Sequence, residues 1–420
     1  MSMPVSPTPK PSWRTPLIVI LSGCVIAMIA FGPRSATGLF MQPISDANGW
    51  GRDVFALAFA LQNLLWGVGQ PFAGAIADRY GMVRVMCGGA LLYALGLVLM
   101  AYSTTPLSFN ITTGVLIGFG LSGCSFNLVV AALGKLVPEH MRSTAFGAGT
   151  AAGSFGQFLF APLGAALISN YGWSFALFAF AAAVLIILPF SIVLATPPAT
   201  KAAPSGDVAD APQSIRLALS EAFGHRSYVL LVLGFFTCGF QLAFITAHLP
   251  AYLIDRGLSV QVGGWVLAVI GLFNIVGSLT AGWLGNRMPK RYLLAGLYFA
   301  RAVSIALFIA LPLSTTSALI FGISTGLTWL STVPPTSGLV ALMFGTRWLA
   351  TLFGFAFFSH QVGGFLGVWL GGLAYEATGS YTPVWILSIA FGVASAIINL
   401  PIVEKPVERK ALKPATGASS

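Results

Sequence analysis

The stretch Gly74-Ala75-Ile76-Ala77-Asp78-Arg79-Tyr80-Gly81-Met82-Val83-Arg84 joins two long apolar segments. It returns about 208 residues later as Gly282-Trp283-Leu284-Gly285-Asn286-Arg287-Met288-Pro289-Lys290-Arg291, again between apolar segments. Pro43 and Pro250 repeat at nearly the same offset, near the ends of the first and seventh apolar runs. A polar, basic turn at the same place in each half makes the two halves copies of one unit. Duplicated halves of apolar helices are a transporter architecture, with the substrate held near the midplane between them.

Composition agrees. The chain has 420 residues, 56% hydrophobic and 8% charged, with 48 Gly and a mean hydropathy of +0.86. Soluble domains carry about a quarter charged residues, and abundant Gly lets membrane helices approach closely. Runs of about 20 apolar residues fall near 17–40, 54–74, 84–103, 107–131, 145–168, 173–195, 228–253, 263–283, 292–312, 317–340, 349–374 and 382–403. The expected fold is an all-α polytopic membrane protein of twelve transmembrane helices. Its expected divisions are an N-terminal tail (1–16), a six-helix bundle (17–195), a linker (196–227), a second six-helix bundle (228–403) and a C-terminal tail (404–420). Within the linker, Ser214 to Phe223 reads as a short amphipathic helix at the interface.

The net charge of +10 is topological. With both termini on one side, 17 of the 21 Lys and Arg lie in the tails and even-numbered loops. Arg52 and Arg256 face the other side, and Arg34 and Arg301 fall inside apolar segments. Positive charge stays in the cytoplasm, so the termini are expected there, in a multi-pass protein of the inner (plasma) membrane, and no nucleic-acid partner is expected. The Pro- and Ser-rich start, Met1 to Trp13, is followed by no cleavage site, so the first run reads as a helix rather than a signal peptide. Cys24, Cys87, Cys124 and Cys238 lie in membrane segments without paired spacing. They read as small packing residues, with no metal, disulfide or cofactor expected.

The pattern G-x-x-x-D-R-x-G-x-x-R, carried by Gly74, Asp78, Arg79, Gly81 and Arg84, resembles the signature loop of the major facilitator superfamily. Through the repeat the resemblance covers the whole chain, and it implies the major facilitator fold of two six-helix bundles. Gly74 permits close helix approach, and Asp78 can pair with Arg84 or cap a neighbouring helix N-terminus. These residues are a candidate latch between conformations. Gly282 and Arg287 belong to the second copy, where Asn286 replaces the acid and weakens the latch.

Pro33-Arg34-Ser35-x-Thr37-x-x-Phe40 resembles the first-helix segment of the monocarboxylate porter family, in which a basic residue after a proline contacts the substrate or proton. Gly118-x-Gly120, and Arg142-x-x-Ala145-x-Gly147-x-Gly149 with Gly156, resemble the same family. The bacterial oxalate/formate antiporter belongs to that wider group. Both kinds of relative carry a substrate-pairing Arg on helix eight, preceded in many porters by an Asp four residues earlier. Alignment through the Gly282 loop puts Ser278 and Asn274 there, so this clamp is missing and the relatives' substrates do not transfer directly.

All eleven carboxylates (Asp46, Asp53, Asp78, Glu139, Asp207, Asp210, Glu221, Asp255, Glu376, Glu404 and Glu408) lie in tails, loops or helix ends. Without a midplane acid, cationic cargo is disfavoured. Arg34 follows Gly32-Pro33, which loosens the helix. A guanidinium keeps its proton, and its cost inside a membrane is offset only by a cavity or a partner. Arg34 is thus expected at a substrate or proton site, with snorkelling to the surface as the alternative. Arg301 is either a second anion contact between helices eight and eleven or a structural hydrogen-bond donor. His248 and His360 are the proton-coupling candidates, because imidazole titrates near neutral pH, though each can equally be a structural donor.

Helices one, four, seven and ten are expected to line the cavity. Asn63, Asn127, Gln241, Asn274, His360 and Gln361 complete the candidate substrate site, and Gln62 and Gln157 are further polar groups within helices. Gln241 corresponds to Arg34 in the repeat. Trp66 and Trp329 either shape the cavity or pack. The expected function is secondary active transport of a small organic anion, foremost a monocarboxylate, with protons, by a monomer in the lipid bilayer. Efflux of amphipathic anions and anion exchange are the alternatives. A non-transporting sensor is disfavoured by the short tails. An enzyme is disfavoured because paired carboxylates, a metal cluster and a nucleophile with an adjacent base are missing from the sequence.

Overall fold

The computed structural model describes residues 14–196, 215–345 and 348–407. The side chains of Asp78, Glu139, His140, Arg142, Ser143, Thr144, Ile215 and Ala350 lie outside that description. The Asp78 arm of the candidate latch, most of the expected linker and the outer parts of both tails therefore lie outside the described residues.

Among the described residues, eleven helices are long and apolar enough to cross a membrane. They are α1 (Pro16–Asn48), α3 (Met82–Ala101), α4 (Pro106–Leu136), α5 (Glu139–Tyr171), α6 (Trp173–Val193), α7 (Arg226–Asp255), α8 (Val260–Leu284), α9 (Lys290–Ala310), α10 (Thr315–Phe344), α11 (Leu349–Thr378) and α12 (Thr382–Asn399). The remaining long helix, α2 (Arg52–Tyr80), has 29 residues. That is about 43 Å at 1.5 Å per residue, more than a bilayer core. Gln62, Asn63 and Gln70 dilute its hydropathy, and they turn inward rather than to lipid: Gln62 and Asn63 are buried and Gln70 donates to Ser125 on α4. With α2 counted, the architecture is consistent with twelve spans. A short helix, Ile215–Gly224, stands where the amphipathic segment was expected.

Seven helices, α1, α2, α4, α5, α7, α8 and α10, overrun their apolar runs at both ends, because backbone hydrogen bonds continue into the interface where hydropathy no longer reports them, whereas α3, α6, α9 and α12 end a few residues before theirs. Glycine or proline sets several of the turns. Gly81, at φ 91°, turns α2 directly into α3, a conformation L-residues avoid. Pro138 and Pro289 precede α5 and α9, and Gly172, at φ 86°, separates α5 from α6.

The packing has the symmetry of the repeat. Within the halves, α1 packs on α5 and α7 on α11; between them, α2 packs on α11 and α8 on α5. Exchanging each helix for the one six positions later maps this set onto itself. Six helices, α3, α4, α6, α9, α10 and α12, stand outside these four pairings.

Besides a slight interruption of α6 at the exposed Ile186, three helices break among buried residues. In α1, Pro33 lacks the N–H that would bond back, and the helix ends at Ser35 before a 3₁₀ turn at Thr37–Phe40. Ser35 Oγ donates to the Gly32 carbonyl at 2.6 Å and Thr37 Oγ1 to that of Arg34 at 2.7 Å. These hydroxyls take up carbonyls that no lipid can satisfy. In α4 the break is at Ser125, extended at ψ 157°. In α10 it spans Trp329–Thr332, between Thr315–Thr328 and Val333–Phe344. Both α4 and α10 resume with the same local chemistry, an extended or turn residue followed by a fresh N-terminus.

Candidate functional site

Between the halves lies a cavity of about 410 Å³. It is lined from α1, α2, α4, α5, α7, α8, α10 and α11, so four helices join the four expected. None of its lining residues comes from α3, α6, α9 or α12.

Arg34 opens onto this space from the end of the first α1 segment. One Nη donates to Asn63 Oδ1 on α2, and Asn63 is oriented by its own bond to the Phe59 carbonyl at 2.8 Å. The guanidinium lies 4.7 Å from the Trp66 ring centroid and 5.7 Å from that of Phe59. Its buried Nε has no hydrogen-bond partner. Arg34 has no ion pair among the described residues, and no carboxylate lines the cavity. A buried, uncompensated cation with an open donor in an apolar-walled space attracts an anion, which recovers both charge assistance and the missing bond.

Of the expected site residues, Arg34, Asn63, Asn127 and His360 line the cavity. His360 Nδ1 donates to Gln361 Oε1 at 3.1 Å, and Gln361 Nε2 donates across the halves to the Asn63 carbonyl at 3.1 Å. Gln361 thus braces the wall from behind without lining it.

The other expected contacts are turned away from the cavity. Arg301 is fully buried in α9 and bonds the carbonyls of Thr328 and Trp329, the latter at 2.9 Å. Its Nη1 donates to Gln241 Oε1 at 3.2 Å, and Gln241 Nε2 donates to the Ser388 carbonyl at 2.8 Å. Neither lines the cavity. Their geometry serves the break in α10, whose freed carbonyls need donors. Asn274 acts on the same break. Its Oδ1 accepts from the Leu330 N–H at 3.0 Å, and its Nδ2 donates to Ser154 Oγ on α5 at 2.9 Å. His248 is fully buried and donates from Nε2 to the Val368 carbonyl at 2.8 Å.

The wall also holds groups that the sequence reading had not placed at the site. Ser125, Thr150, Ser154 and Thr246 add hydroxyls, and Ser278 faces the cavity at the position aligned with the relatives' helix-eight Arg. Gln157 lines it too and donates to the Leu267 carbonyl at 3.1 Å. Hydroxyls are common in membrane helices, so no sequence signal separates these from structural ones. The described residues include no cluster of three or more His, Cys, Asp or Glu able to hold a metal ion.

The face away from the chain termini is closed. There Arg52, at the start of α2, forms a two-pronged pair with Asp255, at the end of α7, both contacts 2.6 Å. Its backbone N–H donates to Glu376 Oε1 at 2.7 Å, and its Nη1 to Tyr381 Oη at 2.9 Å. The Tyr375 ring centroid lies 4.0 Å from the guanidinium. Burial pushes the Tyr381 phenol above its usual range, keeping it protonated. Nearby, Gly38 of α1 abuts the Thr246 carbonyl of α7, leaving no space for a side chain.

On the terminus face, Arg79 and Arg84 of the candidate latch are exposed. Arg79 lies 5.2 Å from its neighbour Tyr80's ring, and Arg287 lies 3.8 Å from that of Trp283. Gly74 and Gly282 have open space where a Cβ would stand. The Arg291 N–H at the start of α9 donates to Glu404 Oε1 at 2.7 Å.

The Major Facilitator Superfamily model matches residues 23–368. The chain is 28% identical over 406 residues to "Uncharacterized MFS-type transporter YcxA" of Bacillus subtilis, covering 95% of this chain and 97% of that protein. It is 26% identical to "Monocarboxylate transporter 13" of Rattus norvegicus, with 91% and 88% covered. Among solved structures, a bacterial homologue of the human lysosomal transporter Spinster, inward-facing and unoccupied, superposes with a TM-score of 0.77 at 17% identity, covering 93% of this chain and 97% of that one. A D-xylose–proton symporter superposes at 0.67 and 16% identity, covering 93% and 98%. At these identities the structures speak for the fold alone.

Proposed function

The chain belongs to the Major Facilitator Superfamily and is a multi-pass membrane transporter of small molecules, and from that premise we propose that its cargo is a small organic anion, foremost a monocarboxylate. The observation that supports this is Arg34, a cavity-lining guanidinium with a buried, unpartnered Nε and no carboxylate beside it. The relatives named as monocarboxylate transporters favour the same class. Transport proceeds by alternating access between two six-helix bundles, 17–195 and 228–403, with the termini in the cytoplasm and the protein monomeric in the inner membrane. With the termini in the cytoplasm, the closed far face is the outer one.

Protons accompany the anion in this reading. Because no acid among the described residues lines the cavity, His360 is the group there placed to exchange one. The Gly74–Arg84 segment, where α2 turns at Gly81 into α3, and its Gly282 copy act as the latch on the cytoplasmic face.

The test is uptake into proteoliposomes by wild type and Arg34 variants of equal expression. Arg34→Gln should nearly abolish transport, since truncating one partner of a desolvated charge pair costs about 2–5 kcal/mol. Arg34→Lys should weaken it, because an ammonium cannot make two coplanar bonds to a carboxylate. Wild-type uptake by Arg34→Gln would refute the anion site.

A further inference from the structure

We infer that the cargo carries an aromatic body on its carboxylate and no amine: an aryl monocarboxylate, in an assignment that rests on Arg34 holding the acid group. The cavity, at about 410 Å³, matches roughly fourteen liquid waters in volume. A two- or three-carbon acid on Arg34 would leave most of it wet.

The wall leading from Arg34 is a run of rings. Trp66 lies 4.7 Å from the guanidinium, and its ring meets Phe357, across the interface between halves, edge-on at 5.6 Å and 79°. Phe357 stacks on His360 at 5.7 Å and 7°, and His360 lies 5.0 Å from Phe235. All four rings line the cavity. They run from α2 to α11 to α7, and two of them are held by polar bonds. Trp66 Nε1 donates to Gln70 Oε1 at 3.2 Å, and His360 is fixed by Gln361. A rigid ring wall beginning at a cation presents faces and edges to a flat apolar body whose acid sits on that cation.

The charges narrow the class. One guanidinium serves one carboxylate, and Arg301 is committed to the α10 backbone, so a dicarboxylate lacks its second partner. No lining carboxylate receives an ammonium, so amino acids are disfavoured. A ring wall shared by both halves also lets the cargo's body bridge them, whereas a short acid would touch chiefly the Arg34 side.

Thermal-shift titration of the full-length protein in detergent, with acetate, lactate, phenylacetate, indole-3-acetate, phenylalanine and phenylacetamide as probes, tests this. Phenylacetate and indole-3-acetate should bind roughly tenfold to a hundredfold more tightly than acetate or lactate, the ratio expected from burying one ring. Phenylalanine and phenylacetamide should bind at least about tenfold more weakly than phenylacetate. In Phe357→Ala the advantage of the aryl acids over acetate should shrink severalfold. Should that variant not fold, the wild-type series decides alone. Acetate or lactate matching phenylacetate, with both lost in Arg34→Gln, would overturn the aryl assignment and leave the anion site standing. Phenylacetamide matching phenylacetate, or aryl acids binding Arg34→Gln undiminished, would overturn the anion reading as well. Stabilisation by none of the acids would overturn both.

Discussion

Breaking the far-face ion pair should shift the transporter toward its other conformation. Arg52 and Asp255 come from different halves and meet in a two-pronged geometry, with their side chains 10% and 24% exposed. Truncating one partner of a fully desolvated pair costs about 2–5 kcal/mol, while exposed pairs contribute about 0–1. This pair lies between, with Tyr381 and the Tyr375 ring as added partners, so Asp255→Asn should cost the closed far face roughly 1.4–2.8 kcal/mol. That is a tenfold to hundredfold change in the ratio of the two states, provided the pair exists in only one of them. Spin labels at Asn170→Cys and Gln261→Cys, both exposed on the far face and in opposite halves, report the opening as distance distributions. The background would replace Cys24 and Cys87, the cysteines that are not fully buried. Asp255→Asn should add a longer distance, and the exchange Arg52→Asp with Asp255→Arg should restore much of the short one. An unchanged distribution in Asp255→Asn would refute the view of this pair as a lock.

Arg301→Gln should lower the melting temperature sharply while the folded fraction keeps near-normal ligand affinity, because hydrogen bonds from a charged donor contribute about 1.5–3 kcal/mol each; a large loss of affinity at unchanged stability would return Arg301 to the substrate site. For the proton, uptake should quicken as external pH falls, and His360→Gln should flatten that dependence. His248→Gln should chiefly reduce stability, and an unchanged pH profile in both variants would favour joint movement of acid and anion. Asp78→Asn, in the last turn of α2, should slow turnover in transport assays while equilibrium binding stays intact; lost binding at unchanged turnover per bound substrate would contradict the latch.

The sequence discloses the parts of this molecule that act locally. A repeated turn and twenty-residue apolar runs report the helices, because each span must satisfy its own backbone within the bilayer. Arg34 is conspicuous for the same reason: a charge among apolar residues has few places to go, and it lines the cavity. Arg301 is equally conspicuous, yet it serves the break in α10, and that break depends on how α8, α9 and α10 come together. Charge inside a membrane segment announces a partner without saying whether the partner is cargo or backbone. Only the fold separates the two, since the Thr328 and Trp329 carbonyls lie 27 and 28 residues from Arg301. The far-face lock was still less legible. Arg52 meets Asp255 and Glu376 across 203 and 324 residues, and each alone is an ordinary charged residue at a helix end. The aromatic wall is hidden for a different reason. With 32 Phe and 10 Trp in the chain, rings at helical spacing face lipid, core and cavity alike. What distinguishes Trp66, Phe357, His360 and Phe235 is that they touch one another across the seam between the halves, beginning at Arg34, the one cation among the described residues of the cavity wall. A seam between two copies of one unit is where alternating access must open and close, so a cargo held as proposed would meet residues that no single segment brings together.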